Sequence, residues 1–136
     1  MKIPSPLEVR YARALAEGMA VRDLAKQESV TYSTMRGRLH RLYRKHNVRN
    51  HNQLIAIFIR NKFLTEYKVP DVDKEPTDKQ KSILRLIAAG YNARDVGIRK
   101  NILKRGIEEH IDNLHKKYGT RFNRQLVALG LHRGWF

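Results

Sequence analysis

The chain has 136 residues, 41% of them apolar, and its 28 Lys and Arg against 13 Asp and Glu leave a net charge of +15. That length holds one or two small cores, and the charge predicts a polyanionic partner, most often nucleic acid. The lack of cysteine excludes a disulfide framework and a thiolate zinc site and fits a reducing cytosol, and no apolar run or signal core calls for a membrane.

In chain order, Ser5, Pro6 and Glu8 have the form of a capping box with proline at the first helical position. A helix is expected from residue 6 to about 17, with Leu7, Tyr11, Ala14 and Leu15 inward and Gly18 ending it. A short second helix over 21–26 would turn Leu24 and Ala25 inward, and 27–30 form the turn after it. Ala20 stands where a capping side chain is wanted, at a cost of about 1 kcal/mol.

Residues 31–45, TYSTMRGRLHRLYRK, form the stretch around which the chain is organised. At helical spacing Met35, Leu39 and Leu42 share one stripe with Tyr43 at its margin. The opposite arc carries Ser33, Gly37, His40 and Arg44, flanked by Arg36 and Arg41, with no acidic residue among them. A glycine in a helix interior costs about 1 kcal/mol relative to alanine and is easier to understand where a partner approaches the backbone. The competing account is a solvated basic face on an ordinary core helix.

Asn50 as cap and Gln53 at the third position start a fourth helix over 51–61. It is apolar on two sides, Leu54, Ile57 and Phe58 on one and Ile55 and Ile59 on the other. The second stripe needs a cover, either the rest of the chain or another copy of it. Residues 65–76, with two prolines and four acids, read as a partly extended linker.

A shift of 72 residues then aligns 5–64 with 77–136 without a gap and with eleven identities, among them Gly18 with Gly90, Arg22 and Asp23 with Arg94 and Asp95, and Gln53 and Leu54 with Gln125 and Leu126. The caps recur as Thr77 with Gln80 and as Asn123, and the apolar stripe recurs as Ile107, Ile111 and Leu114. The expected fold is all-α: two tandem four-helix units, 1–64 and 77–136, each of helix-turn-helix order.

Each unit resembles the LuxR/GerE-type helix-turn-helix, the DNA-binding module of many bacterial transcription regulators. In the first unit the resemblance rests on Ser5, Pro6 and Glu8, on Ala16 to Gly18 before Arg22 to Ala25, on Thr34 to Arg36 with Leu39, and on Lys45 through Val48 to Asn50. In the second it rests on Ala89 to Asn92, Arg94 and Asp95, Ile107 with His110 and Ile111, and Lys117 through Arg121 to Gln125. It implies major-groove contact by Arg36, Gly37, His40 and Arg41, phosphate contact by Thr34, Arg38, Arg44, Lys45 and Arg49, and a fourth helix that often makes the dimer contact. Leu54, Ile55 and Ile59 would then be a protein interface.

The second unit departs from that pattern. Where the first has Arg36, Gly37, His40 and Arg41, it has Glu108, Glu109, Asp112 and Asn113, and phosphates repel such a helix. Leu103 and Gly106 also weaken the start of that helix. Its basic residues lie at the edges, where Lys104, Arg105, Lys116, Lys117 and Arg121 are expected on phosphates, and thirteen basic against five acidic residues still leave it at +8. Glu108, Glu109 and Asp112 form an alternative protein interface.

No phosphate-binding glycine loop or nucleophile motif is present, and the histidine spacing does not indicate a metal site. The expectations are therefore a non-enzymatic, cytoplasmic or nucleoid-associated regulator of transcription, bacterial or phage, that binds double-stranded DNA without a cofactor. It would act alone, as a homo-oligomer or with a protein of the transcription apparatus. The alternative is an interaction module whose acidic second half binds that apparatus.

Overall fold

A computed structural model describes residues 2–136. Among them the chain is all-helical, with eight helices and no strand: α1 Pro6–Ala16, α2 Val21–Gln27, α3 Tyr32–His46, α4 His51–Arg60, α5 Asp78–Ala88, α6 Ala93–Lys100, α7 Lys104–Tyr118 and α8 Asn123–Arg133.

The starts of these helices follow local chemistry. Ser5 and Glu8 close a full capping box on α1, and Thr77 and Gln80 do the same on α5. Thr31, Asn50 and Asn92 cap α3, α4 and α6 through their side-chain oxygens, whereas Ala20 and Leu103 cap nothing. Gly18 and Gly90 sit just past α1 and α5 at φ +98° and +97°. Around Gly18 the bonds Gly18 N–H to Leu15 O and Met19 N–H to Ala14 O make a Schellman end. Leu7 differs from its expected inward position. It is 39% exposed, because the first turn of α1 projects beyond the core that holds Tyr11, Ala14 and Leu15.

A single buried cluster runs through both halves of the chain. Its centre is the packing of α4 on α8, flanked by α1 on α8 and α5 on α4. These contacts are reciprocal under the 72-residue shift. A Cβ on Gly90 would stand 2.8 Å from Gln53 Oε1, and one on Gly18 would stand 2.3 Å from Gln125 Nε2. Each glutamine also accepts from the backbone at the equivalent arginine, Arg49 N at 2.7 Å and Arg121 N at 2.8 Å. Reciprocity of this kind is what a two-fold contact between like units produces.

The apolar face of α4 is therefore covered inside the chain. Leu54 and Ile55 are fully buried, so they are not a surface for a second copy, while Ile59 packs against the core and stays partly exposed. Between Gly90 and Gln53 there is no room for a side chain. Gly90→Ala would combine left-handed strain of about 1–2 kcal/mol with a collision against a carbonyl already held by Arg49 N. Gly119, at φ +70° with nothing within 4 Å, would show the strain alone. Urea unfolding of the two variants should place Gly90→Ala about 1 kcal/mol or more below Gly119→Ala.

Residues 65–76 form no helix or strand, but they are not a free tether. Arg13 Nε donates to Glu66 O at 2.8 Å and Glu17 Oε2 accepts from Lys68 N at 2.8 Å. Further on, the Tyr118 hydroxyl donates to Lys74 O at 2.8 Å and Lys117 Nζ to Glu75 O at 3.1 Å. The connection is thus bound to α1 at one end and to α7 at the other.

Candidate nucleic-acid interface

Helix α3 buries Met35, Leu39 and Leu42 completely and turns its other side outward. Arg36, His40, Arg41 and Arg44 are exposed, and none makes an ion pair among the described residues. Gly37 lies between them, and a Cβ there would meet nothing within 4 Å. Nothing in the fold requires glycine at that position. Its cost to the helix is met by no internal contact, which leaves room for an outside partner.

The residues expected to contact phosphate divide into free and occupied groups. Thr34, Arg44, Arg49, Lys104, Arg105, Lys116 and Arg121 are exposed, although Arg49 also lies over the Tyr91 ring, 5.3 Å from its centroid. Arg38 donates to the Tyr11 hydroxyl at 2.8 Å, and Lys45 is paired with Glu8 Oε1 at 2.7 Å. Burial would raise the Glu8 pKa, but Lys45 and the Ser5 amide outweigh it and hold the carboxyl below its ordinary value. Lys117 is engaged with the connecting segment. Lys45, Arg38 and Lys117 are thus structural within the chain, a distinction that spacing alone does not reveal.

Three hollows run edge to edge from α3 to α7. The first, about 420 Å³, lies beside α3 between His40, Arg44 and Arg49. It shares Asn50 and His51 with a central hollow of about 320 Å³ at the starts of α4 and α8. That one shares Arg121 and Asn123 with a third, about 550 Å³, lined by Arg105, Glu108, Glu109 and Asp112. One trough therefore passes both long helices, basic at the α3 end and mixed in charge at the α7 end. Arg41 lies on the far flank of α3, in a separate hollow with Arg38 and Lys45. The four positions expected to read bases are spread over the ridge of α3 and do not all face the trough.

Half-buried polar groups tie the trough floor together. The Tyr43 hydroxyl pairs with His51 Nδ1, and at the equivalent place His115 Nε2 meets Asn123 Oδ1 at 2.9 Å. Burial, with Arg124 and His40 nearby, lowers the His51 pKa to about 4, and burial raises that of Tyr43. Asn123 is not the cap of α8: the helix begins one residue after Phe122, so the shift of 72 holds strictly and Asn123 is its first residue. The most deeply placed cation is Arg124, 5% exposed. Its guanidinium stacks on Phe122 at 3.8 Å and donates to Met19 O in the other half. Sequence alone marks Arg124 only as one more basic residue at an edge.

Glu108, Glu109 and Asp112 are exposed and unpaired among the described residues, and no three His, Asp or Glu side chains there converge to hold a metal ion. No described helix is long and apolar enough to cross a membrane. In comparisons with protein-family models, curated proteins and solved structures, the chain matches none of them.

Proposed function

We propose that this protein is a sequence-specific regulator of transcription that binds duplex DNA as a single chain, in the cytoplasm or nucleoid, with two LuxR/GerE-type helix-turn-helix units joined in tandem. The observation that carries this reading is the outer face of α3, where exposed, unpaired Arg36, His40, Arg41 and Arg44 surround a glycine with open space above it. In this account α3 enters the major groove. The second half extends the contact along the backbone through Lys104, Arg105, Lys116 and Arg121. Because α4 and α8 cover each other, a second copy is not needed to place two long helices side by side. The site on DNA would be asymmetric, since the two long helices differ in charge.

A second reading is favoured by the exposed, unpaired carboxylates of α7. In that account Glu108, Glu109 and Asp112 hold a basic segment of the transcription apparatus and DNA contact is secondary.

The test is a pair of α3 variants assayed on a selected duplex and on a scrambled one. Arg36→Ala should cost about 1–3 kcal/mol on the selected site and little on the scrambled one. Gly37→Ala should make the fold more stable by up to about 1 kcal/mol while weakening the selected complex, because a methyl group would stand where the groove comes closest. Equal losses on both duplexes for Arg36→Ala, or a Gly37→Ala variant that binds as well as the parent, would remove the base-reading role of α3.

A further inference from the structure

The central hollow lies where the two halves meet and is lined by equivalent residues from each, 50–52 from one and 122–124 from the other, with Arg121 at its edge. Both helices that begin there, α4 with ten residues and α8 with eleven, direct the positive ends of their dipoles toward it. At each start the third amide is satisfied, by the Asn50 side chain on α4 and by Phe122 O, 3.0 Å from Gln125 N, on α8. Asn50 Oδ1 accepts from Gln53 N at 3.0 Å and caps α4. Phe122 stands at the same position on α8, and a phenyl ring accepts no hydrogen bond of this kind. The Gln125 carbonyl turns back to Arg121 N and Phe122 N, at 2.8 and 2.9 Å. The first and second amides of both helices, at His51 and Asn52 and at Asn123 and Arg124, are left without an intrahelical acceptor.

Arg124 is the independent observation. Arg124 is among the residues lining this hollow, its side chain is 5% exposed and donates to Met19 O, and its buried Nε has no hydrogen-bond partner. No carboxylate pairs with it among the described residues, and none lines the hollow. Burial, with Arg121 adding to it, lowers the guanidinium pKa to about 10. A buried guanidinium without a counter-charge is costly, and an anion is the group that relieves it. The neighbouring carboxylates, Glu108, Glu109 and Asp112, belong to the next hollow.

We propose that the central hollow is a seat for one phosphate-type oxyanion, held by the open amides of α8, by Arg124 and by Arg121 at the mouth. Helix amides and a guanidinium suit a tetrahedral oxyanion because they supply several donors around one point. Two sources supply that chemistry: a backbone phosphate of a duplex lying in the trough, which rests on the DNA reading above, and free inorganic phosphate, which does not.

The experiment uses the full chain and two variants that leave Arg124 in place. Asn123→Asp keeps the acceptor for His115 and puts a carboxylate at the helix start; Arg121→Ala removes the exposed cation. Thermal unfolding is followed in inorganic phosphate and in sodium chloride at matched ionic strength. The parent should unfold at a higher temperature in phosphate, with a smaller rise in Arg121→Ala and none in Asn123→Asp. In parallel, duplex binding is measured by fluorescence anisotropy. If the seat takes a DNA phosphate, Asn123→Asp should weaken selected and scrambled duplexes alike by about tenfold, and inorganic phosphate should compete beyond its ionic strength. A phosphate-specific rise in unfolding temperature with unchanged duplex affinity would assign the seat to free phosphate. The same rise in a protein that does not bind DNA would keep the seat and remove the DNA reading. If phosphate acts no differently from chloride and Asn123→Asp binds duplex as the parent does, the seat is overturned while the DNA reading stands.

Discussion

Raising salt from 50 to 200 mM should weaken binding of this protein to duplex DNA by about 10³ to 10⁵. Each neutralised phosphate adds close to one to the slope of log affinity against log salt, and some six to ten contacts give that range. The structure limits which residues contribute. Arg36, Arg41, Arg44, Arg49, Lys104, Arg105, Lys116 and Arg121 are exposed and without an ion pair among the described residues. Lys45, held by Glu8 at 2.7 Å, and Arg38, donating to Tyr11 at 2.8 Å, would first have to release their partners. Arg44→Ala should therefore lower the slope by about one, whereas Lys45→Ala should change it much less. The measurement is anisotropy of a labelled duplex across a salt series. A flat response would leave the acidic-face interaction module as the standing reading.

The second large effect is on stability in acid. His51 has an ordinary pKa of 6.5, and burial, with Arg124 and His40 adding to it, lowers the folded value to about 4. The unfolded chain then binds a proton in a pH range where the folded one does not. Stability from this group is complete above about pH 6.5, falls as pH drops toward 4, and is lost below it, a change of about 3 kcal/mol. His46, whose pKa is also lowered, chiefly by burial, acts in the same direction. Urea unfolding at pH 7 and pH 4.5 should show the loss. His51→Asn, which places here the residue type found at the equivalent position 123, should remove most of that pH dependence. An equal acid loss in parent and variant would mean that His51 is not its source.

The four helices of the first half, and α5 after its Thr77 cap, begin within a residue of where caps and apolar spacing place them, because those signals act over three or four residues and do not depend on distant packing. The repeat was legible for the same reason: Gly18 and Gly90, and Gln53 and Gln125, stand 72 apart whatever the tertiary structure. The outward face of α3 was legible too, since Met35, Leu39 and Leu42 fix which side is buried.

What the chain does with the second apolar stripe of α4 was not legible. Periodicity shows that Ile55 and Ile59 need cover, but not whether α8 or another copy supplies it, because both bury the same surface. Packing decided for α8 and removed Leu54 and Ile55 from the outside, leaving Ile59 partly exposed. Nor does a string of basic residues say which are already paired. Lys45, Arg38 and Lys117 find partners 37, 27 and 42 residues away, and Arg124 is carried inward by the helix whose start it occupies to reach Met19, 105 residues away. The local pattern sets the helices and their faces; which charges stay free is decided by contacts between residues far apart in the chain, and these exist only once the helices have packed.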